Sequence, residues 1–397
     1  MSSLSGPYFR MDGSDSSGGI LVAKRYAETR QPVAGAHTLS PECFSSKTFY
    51  QWEVEHFFHG SWHCVGRTDQ LPQSGDYRVV EIAGTSIVVL RGDTGRLRAF
   101  ANVCRHRCTR LLSGEGRVKL IRCPFHSWTY GLGGDLIGAP AMDRTADFDM
   151  AKYGLISVRL ESHCGFLFVN IDGNATVLSE RLGDFDDLHA PYALDDLIST
   201  RRARFDVACN WKLFLQVFME YYHLSTVHPD TLKETRYQPP EEDIFDTGEY
   251  ISQFGTHEGT GALLQGIDRQ SFEPIATLED RLLNGTRYTQ ILPSTIFACA
   301  RDCMWFFECY PDGPNRTTFY MNSCFPRVTT ERADFEEVVE GYYDRWDIAL
   351  REDIDILERQ HLGMATPLAQ PGRYSHLESA VGHFERWIAQ QIDASER

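Results

Sequence analysis

The spacing of apolar positions changes along the chain, and each change marks an element. Residues 41–58 (PECFSSKTFYQWEVEHFF) place Phe49, Trp52, Phe57 and Phe58 on one broad apolar face, which predicts an amphipathic helix. From Trp62 onward the pattern becomes short apolar runs at 79–82, 87–90 and 97–100, separated by turn residues such as Gly84 and the Gly92-Asp93-Thr94-Gly95 run. That texture predicts a small antiparallel β domain, continuing through Ile121, Trp128 and Leu132 and closing near residues 164–171 (CGFLFVNI). Residues 182–199 are acidic and read as helix or loop, and residues 210–224 (NWKLFLQVFMEYYHL) read as one helix closed by Pro229. Residues 288–325 return to strands around an Asp312-Gly313-Pro314 turn. Residues 332–360 read as one long helix, and 381–392 as a closing helix with Phe384 and Trp387 inward. Strands followed by helices, without strict alternation, predict an α+β fold. The expected division is a flexible segment at 1–40, a helical lead-in at 41–60, an inserted all-β domain at 61–172, and a larger domain of antiparallel sheet plus helices at 173–397.

Composition narrows the class. A chain of 397 residues exceeds one ordinary core. With 42% hydrophobic and 24% charged residues it has the make-up of a soluble globular enzyme. A net charge of −16 without a basic block excludes the cationic footprint of a nucleic-acid binder. The 11 cysteines are odd in number and scattered, and the Ser- and Gly-rich N-terminus lacks the apolar core of a secretory leader. Reduced thiols and a cytoplasmic location are therefore expected. No apolar run approaches the roughly 20 residues that span a membrane.

Two constellations carry chemistry. In CRHRCTRLLSGEGRVKLIRCPFHSW, Cys104-x-His106 is followed after 16 residues by Cys123-x-x-His126. Two short loops bearing one thiolate and one imidazole each can converge on a metal pair. Two thiolates on one iron and two imidazoles on the other make a Rieske [2Fe–2S] centre, with a potential of about −150 to +300 mV against about −400 mV for all-cysteine plant-type clusters. The plainer alternative is a structural Cys2His2 zinc site, but zinc fingers pair Cys with Cys and His with His, and here each half mixes them. Further on, Glu220 and His223 lie three residues apart on the expected helix, and His228 follows one bend later. Two imidazoles that close can bind one iron, and a carboxylate from elsewhere would complete a facial triad with open positions for O₂ and substrate.

Both segments resemble the Rieske non-haem iron oxygenases, the ring-hydroxylating oxygenase alpha-subunit family. The first matches through its ligand spacing, Pro124 and Trp128. The second matches through Asn210-Trp211-Lys212-Leu213 and Glu220-x-Tyr222-His223. The resemblance implies a small all-β Rieske domain inserted in a helix-grip catalytic domain. The cluster would be held by Cys104, His106, Cys123 and His126, and Fe(II) by His223, His228 and a third ligand in ALREDIDILERQ. The resemblance puts that ligand at Asp353, with Glu358 supporting the match and Asp347 and Asp355 as competitors. Glu220 would bridge an iron-bound histidine to a cluster histidine of the neighbouring subunit, which implies a homo-oligomer closed head to tail, a trimer; a plain surface carboxylate is the alternative. Electrons from NAD(P)H would arrive through a separate flavin- or ferredoxin-type reductase, and O₂ would supply the oxygen. The chain departs from the family at Cys108 and Ser127, where glycine is usual, so both loops are expected to differ slightly in shape. It departs again at Gln216-Val217, where Glu-Asn is usual.

Glu220, in place of a more usual Asp, and the C-terminal GHFERWIAQQI resemble the quaternary-ammonium branch: glycine betaine, carnitine and choline monooxygenases. That implies hydroxylation or N-demethylation of an N-methylated substrate, with cis-dihydroxylation of an arene as the alternative. A Rieske electron carrier with no catalysis of its own is the third reading, opposed by the second iron motif. Aromatic faces attract quaternary ammonium groups, so Phe218, Tyr221, Tyr288, Phe297, Trp305 and Phe307 are candidate pocket walls, with Val217 as a further pocket residue; ordinary core packing is their other reading.

Overall fold

A computed structural model describes residues 19–229, 231–232, 241–244, 248–264 and 270–396. The apolar runs that begin at His63 pair into a seven-stranded antiparallel sheet. Its spatial order is His63–Arg67, Phe166–Asn170, Ser157–His163, Leu97–Ala101, Thr85–Arg91, Asp76–Ile82 and Glu115–Arg117. Period two decides which face is covered: along Asp76–Ile82 every second residue is buried. A second, three-stranded sheet of Ile121–Arg122, Thr129–Tyr130 and Leu136–Gly138 sits beside it. Between them Val88, Leu90, Phe100, Trp128 and Tyr130 form a small separate core that also includes Cys104 and Cys123.

The larger domain is built on a second seven-stranded antiparallel sheet, ordered Leu197–Val207, Thr317–Pro326, Met304–Pro311, Thr295–Cys299, Gly285–Ile291, Tyr250–Thr256 and Glu241–Ile244. Every residue of the central strand Met304–Pro311 is buried, as a strand covered on both faces requires. The helices Trp211–Phe218, Phe335–Met364 and Ser379–Ser395 share one core with this sheet, giving the α+β, helix-grip arrangement. Among the described residues no helix is long and apolar enough to cross a membrane.

Four expectations change. The stretch 182–199, read as helix or loop, turns to strand at Leu197; that strand, Leu197–Val207, runs eleven residues at the sheet's edge with mostly half-buried side chains. The helix expected over 210–224 ends at Phe218, and a separate turn of helix spans Leu224–Val227. The lead-in helix is broken at Ser46, whose hydroxyl accepts from the Phe49 N–H and so starts a new helix there. Residues 19–40, expected to be flexible, are tied down: Tyr26 and Leu39 are buried, and the N–H groups of Ala23 and Leu39 donate to Glu396 and Glu385 of the C-terminal helix. Residues 1–18 of that segment lie outside the described residues.

Candidate metal centres and cavity

The first constellation sits on two loops with the same local fold. In one, the Cys108 N–H donates to the Cys104 carbonyl; in the other, the Ser127 N–H donates to the Cys123 carbonyl. Cys108 and Ser127 hold φ at +56° and +57°, the left-handed region that glycine enters without strain. The two residues therefore hold a glycine-type turn and carry its steric cost. The sulfur-bearing residues Cys104 and Cys123 are buried in the small core, whereas His106 is half-buried and His126 exposed. The two imidazoles stand 4.8 Å apart, and His106 stacks on Trp128 at 4.9 Å. Burial alone would raise the Cys123 thiol, but hydrogen bonds from the Phe125 and His126 backbone outweigh it and hold the thiol below its ordinary value. The Tyr130 hydroxyl lies 3.4 Å from Cys104 Sγ and accepts from the Arg105 N–H. Two inward sulfur donors, two outward nitrogen donors and amides aimed at sulfur suit a [2Fe–2S] cluster with mixed ligands.

The second constellation forms where the helix gives out. The Glu220 carboxylate accepts the backbone N–H groups of Tyr222 and His223, a local capping pattern that competes with the helical ladder. The same carboxylate meets His223 Nδ1 at 2.6 Å. His228 is held in the same way: its Nδ1 lies 2.7 Å from Glu352, which also accepts from the Thr231 hydroxyl. With each Nδ1 donating to a glutamate, each Nε2 presents its lone pair forward. Those two nitrogens lie 3.6 and 3.0 Å from Asp353 Oδ1, and the three side chains can offer ligand atoms within 4.8 Å of one another. Among the described residues the buried Asp353 Oδ1 faces these two ring nitrogens and has no hydrogen-bond donor of its own, an arrangement that a bound cation would resolve. Burial opposes charging of His228, but Asp353 and Glu352 outweigh it and raise its pKa, so an anionic surround is already in place. The competing carboxylates point elsewhere: Asp347 pairs with Arg201, and Asp355 with exposed Arg359. Glu358 accepts from the Ala208 N–H, away from the triad.

A cavity opens beside the triad. Val217, Phe218, Tyr221, Tyr288 and Trp305 line it. Phe218 and Tyr221 meet the Tyr288 ring edge-on at 5.3 and 5.4 Å, and Tyr288 meets Trp305 at 6.1 Å. Phe297 and Phe307, expected as walls, do not line it. Phe297 pairs with Phe306 and so falls on the opposite face of the sheet from Trp305, among Phe166, Phe185 and His189. Phe307 shares the face of Trp305 but packs under Phe214 and Phe218 in the core. The cavity also holds Arg345, His257 and Ala349, which the sequence did not single out. Burial, with Arg345 and Arg301 nearby, keeps the His257 pKa low, and its Nε2 meets the Thr286 hydroxyl at 2.8 Å. Glu352 and Arg345 had one available signal, their place on the helical face that carries Asp353 or next to it.

Both segments fall within regions that match known protein families. Residues 194–394 match the ring hydroxylating alpha subunit (catalytic domain) family, and residues 61–153 match the Rieske [2Fe-2S] domain. The chain is 28% identical over 384 residues to the glycine betaine monooxygenase oxygenase subunit of Chromohalobacter salexigens, covering 89% of this chain and 86% of that one. It is 38% identical over 208 residues to the carnitine monooxygenase oxygenase subunit of Escherichia coli K12, covering 51% and 56%. Among solved structures, a quaternary ammonium Rieske monooxygenase superposes with a TM-score of 0.79 at 25% identity, covering 91% of this chain and 97% of that one. Naphthalene 1,2-dioxygenase from Rhodococcus sp. shares the fold, with a TM-score of 0.75 at 18% identity over 91% and 95%.

Proposed function

The chain belongs to the ring-hydroxylating oxygenase alpha-subunit family and is a Rieske non-haem iron oxidoreductase, and from that premise we propose that it is the oxygenase component of a monooxygenase acting on a quaternary ammonium or other N-methylated substrate. One observation carries the reading: the triad of His223, His228 and Asp353 opens onto a cavity walled by Phe218, Tyr221, Tyr288 and Trp305. Such faces attract an onium group by about 0.5–2 kcal/mol per ring. The relatives named for glycine betaine and carnitine point the same way.

In this reading Cys104, His106, Cys123 and His126 hold a [2Fe–2S] cluster, and His223, His228 and Asp353 hold Fe(II). When bound, these centres supply electron transfer and O₂ activation, fed by NAD(P)H through a separate reductase. The chain's own residues do the rest. The aromatic wall seats the onium group so that one C–H bond faces the triad. Glu220 and Glu352 hold both imidazoles in place, each with its Nε2 aimed at the triad. Glu220 has accepting capacity left beyond His223, since an ionised carboxylate offers about four lone-pair sites. It therefore serves as the joint to a cluster histidine of a neighbouring copy in a cyclic trimer. Overall, O₂, two electrons and two protons place one oxygen in the substrate and release the other as water. Where the carbon is an N-methyl group of a quaternary ammonium, the hydroxymethylammonium product breaks its C–N bond, the nitrogen keeping the electron pair and the hydroxyl giving up its proton, to yield formaldehyde, the demethylated amine and H⁺.

The test is O₂ uptake with a generic reductase and NADH across betaines, N-methylated amines and aromatic acids. We expect stimulation by the onium compounds. Stimulation by aromatic acids alone would favour arene dihydroxylation and reject the proposal. His223→Ala is expected to abolish turnover while leaving the visible spectrum of the cluster intact; an electron carrier would be indifferent to the change.

A further inference from the structure

Arg345, Ala349 and Asp353 are spaced four apart on the helix Phe335–Met364, so they share one face, and all three line the cavity. Along the helix axis Arg345 lies about 12 Å from Asp353. Ala349, between them, leaves the path open.

Arg345 is half-buried at the cavity wall. Arg67, Arg78 and Arg202 each have a carboxylate within ion-pair distance. Among the described residues Arg345 has none, and its Nε is buried without a hydrogen-bond partner. Its guanidinium lies over the Trp305 ring, 5.8 Å from the centroid. A half-buried guanidinium that faces a cavity with no ion-pair partner of its own is a ready fork for an anion. The neighbouring His257, its pKa lowered by burial and by Arg345, adds no second cation at neutral pH.

A bare onium cation seated on Trp305 and Tyr288 would be repelled by this guanidinium. An onium group that carries a carboxylate satisfies both ends of the cavity: the cation rests on the aromatic faces, and the carboxylate takes the guanidinium fork. We propose that Arg345 is a carboxylate anchor and that the substrate is a zwitterion, an onium group joined to a carboxylate. The proposal rests on the function proposed above and narrows it, placing choline-like alcohols outside the substrate class.

The test is a tryptophan-fluorescence titration of the full chain with glycine betaine, γ-butyrobetaine, their methyl esters and choline, backed by KM from O₂ uptake. The carboxylates should bind about ten to a hundredfold tighter than the esters and choline, the range of a charge-assisted contact. Arg345→Gln should erase that difference, and Arg345→Lys should keep part of it, with the cluster spectrum and bound iron unchanged in both. Choline or an ester binding as well as its carboxylate partner overturns the proposal, and this arm needs only the unmodified protein. A preference that survives Arg345→Gln also overturns it. Binding of benzoate with no binding of any onium compound overturns the zwitterion together with the parent function. In that event, benzoate binding unaffected by Arg345→Gln would remove the anchor as well.

Discussion

His223 and His228 are each held from behind by a glutamate, and only one of the two is visible in the sequence. Glu220 lies three residues before His223 and stands out on spacing alone. Glu352 lies 124 residues from the histidine that it orients. Its role depends on how the helix Phe335–Met364 is turned, which local spacing does not reveal. Its carboxylate fixes the His228 tautomer and accepts from Thr231, so losing it should loosen the metal site without unmaking it. Glu352→Gln is expected to weaken iron binding about ten to a hundredfold. Iron retained after dialysis against a graded chelator, normalised to cluster absorbance, measures this. Retention equal to the parent would show that Glu352 does not orient His228. The proposed cluster ligands stood out for the opposite reason: each Cys–His pair lies within four residues, so the pattern is written locally.

At the level of elements, the sequence conveyed existence better than phase. The long and closing helices, Phe335–Met364 and Ser379–Ser395, follow from their periodicity. The strand Leu197–Val207 escaped because Arg201, Arg202 and Arg204 sit on an edge, paired with Asp347, Glu308 and Asp206, and confine the apolar alternation to Ala203, Phe205 and Val207. Phe297 was misplaced because aromatic content says nothing about which face of a pleat a residue takes; its pairing with Phe306 decides that. The helix Trp211–Phe218 is anchored by a contact that sequence alone could not locate. Lys212 Nζ lies 2.5 Å from Glu53 of the lead-in helix, both side chains fully buried, and the Trp211 indole donates to the same carboxylate. Breaking a buried pair leaves an uncompensated charge, so Lys212→Met should cost about 3–5 kcal/mol in urea unfolding. Lys212→Met with Glu53→Gln should recover most of that loss, because no charge is then stranded. A double variant no more stable than Lys212→Met would mean that packing, and not charge, sets the cost.

The whole molecule depends on a buried polar seam between its two domains. Arg67, at the end of the strand His63–Arg67, donates to the carbonyls of Leu194 and Leu197 at 2.7 and 3.1 Å. Gln70 donates to Asn322, and the Ser199 N–H to Asp69. A buried histidine, His63, completes the junction, and a second, His189, lies within the larger domain. His63 meets the Ser294 hydroxyl and the Phe57 carbonyl, and His189 meets the Thr289 hydroxyl and the Phe185 carbonyl, all at 2.9 Å. Burial, aided by Arg181 and His59 and opposed by the Phe57 carbonyl, lowers the His63 pKa to about 4. Burial likewise lowers His189 to about 3. In the unfolded chain an imidazole takes its proton near pH 6.5. As pH falls from 6.5 towards 4, the unfolded state therefore binds a proton that folded His63 refuses, and stability declines with pH over that window. The full contribution of His63 is present above about pH 6.5, and about 3 kcal/mol is lost by pH 4. His63→Gln keeps a side chain able to donate to Phe57 but cannot titrate. It should start less stable at pH 7.5, and its gap to the parent should then shrink by about 3 kcal/mol towards pH 4. Urea midpoints at pH 7.5, 6, 5 and 4.2 read the slope directly. Parallel curves for parent and variant would mean that His63 is not the neutral pin of the junction, and the acid lability would then have to come from His189 or from the carboxylates along the seam.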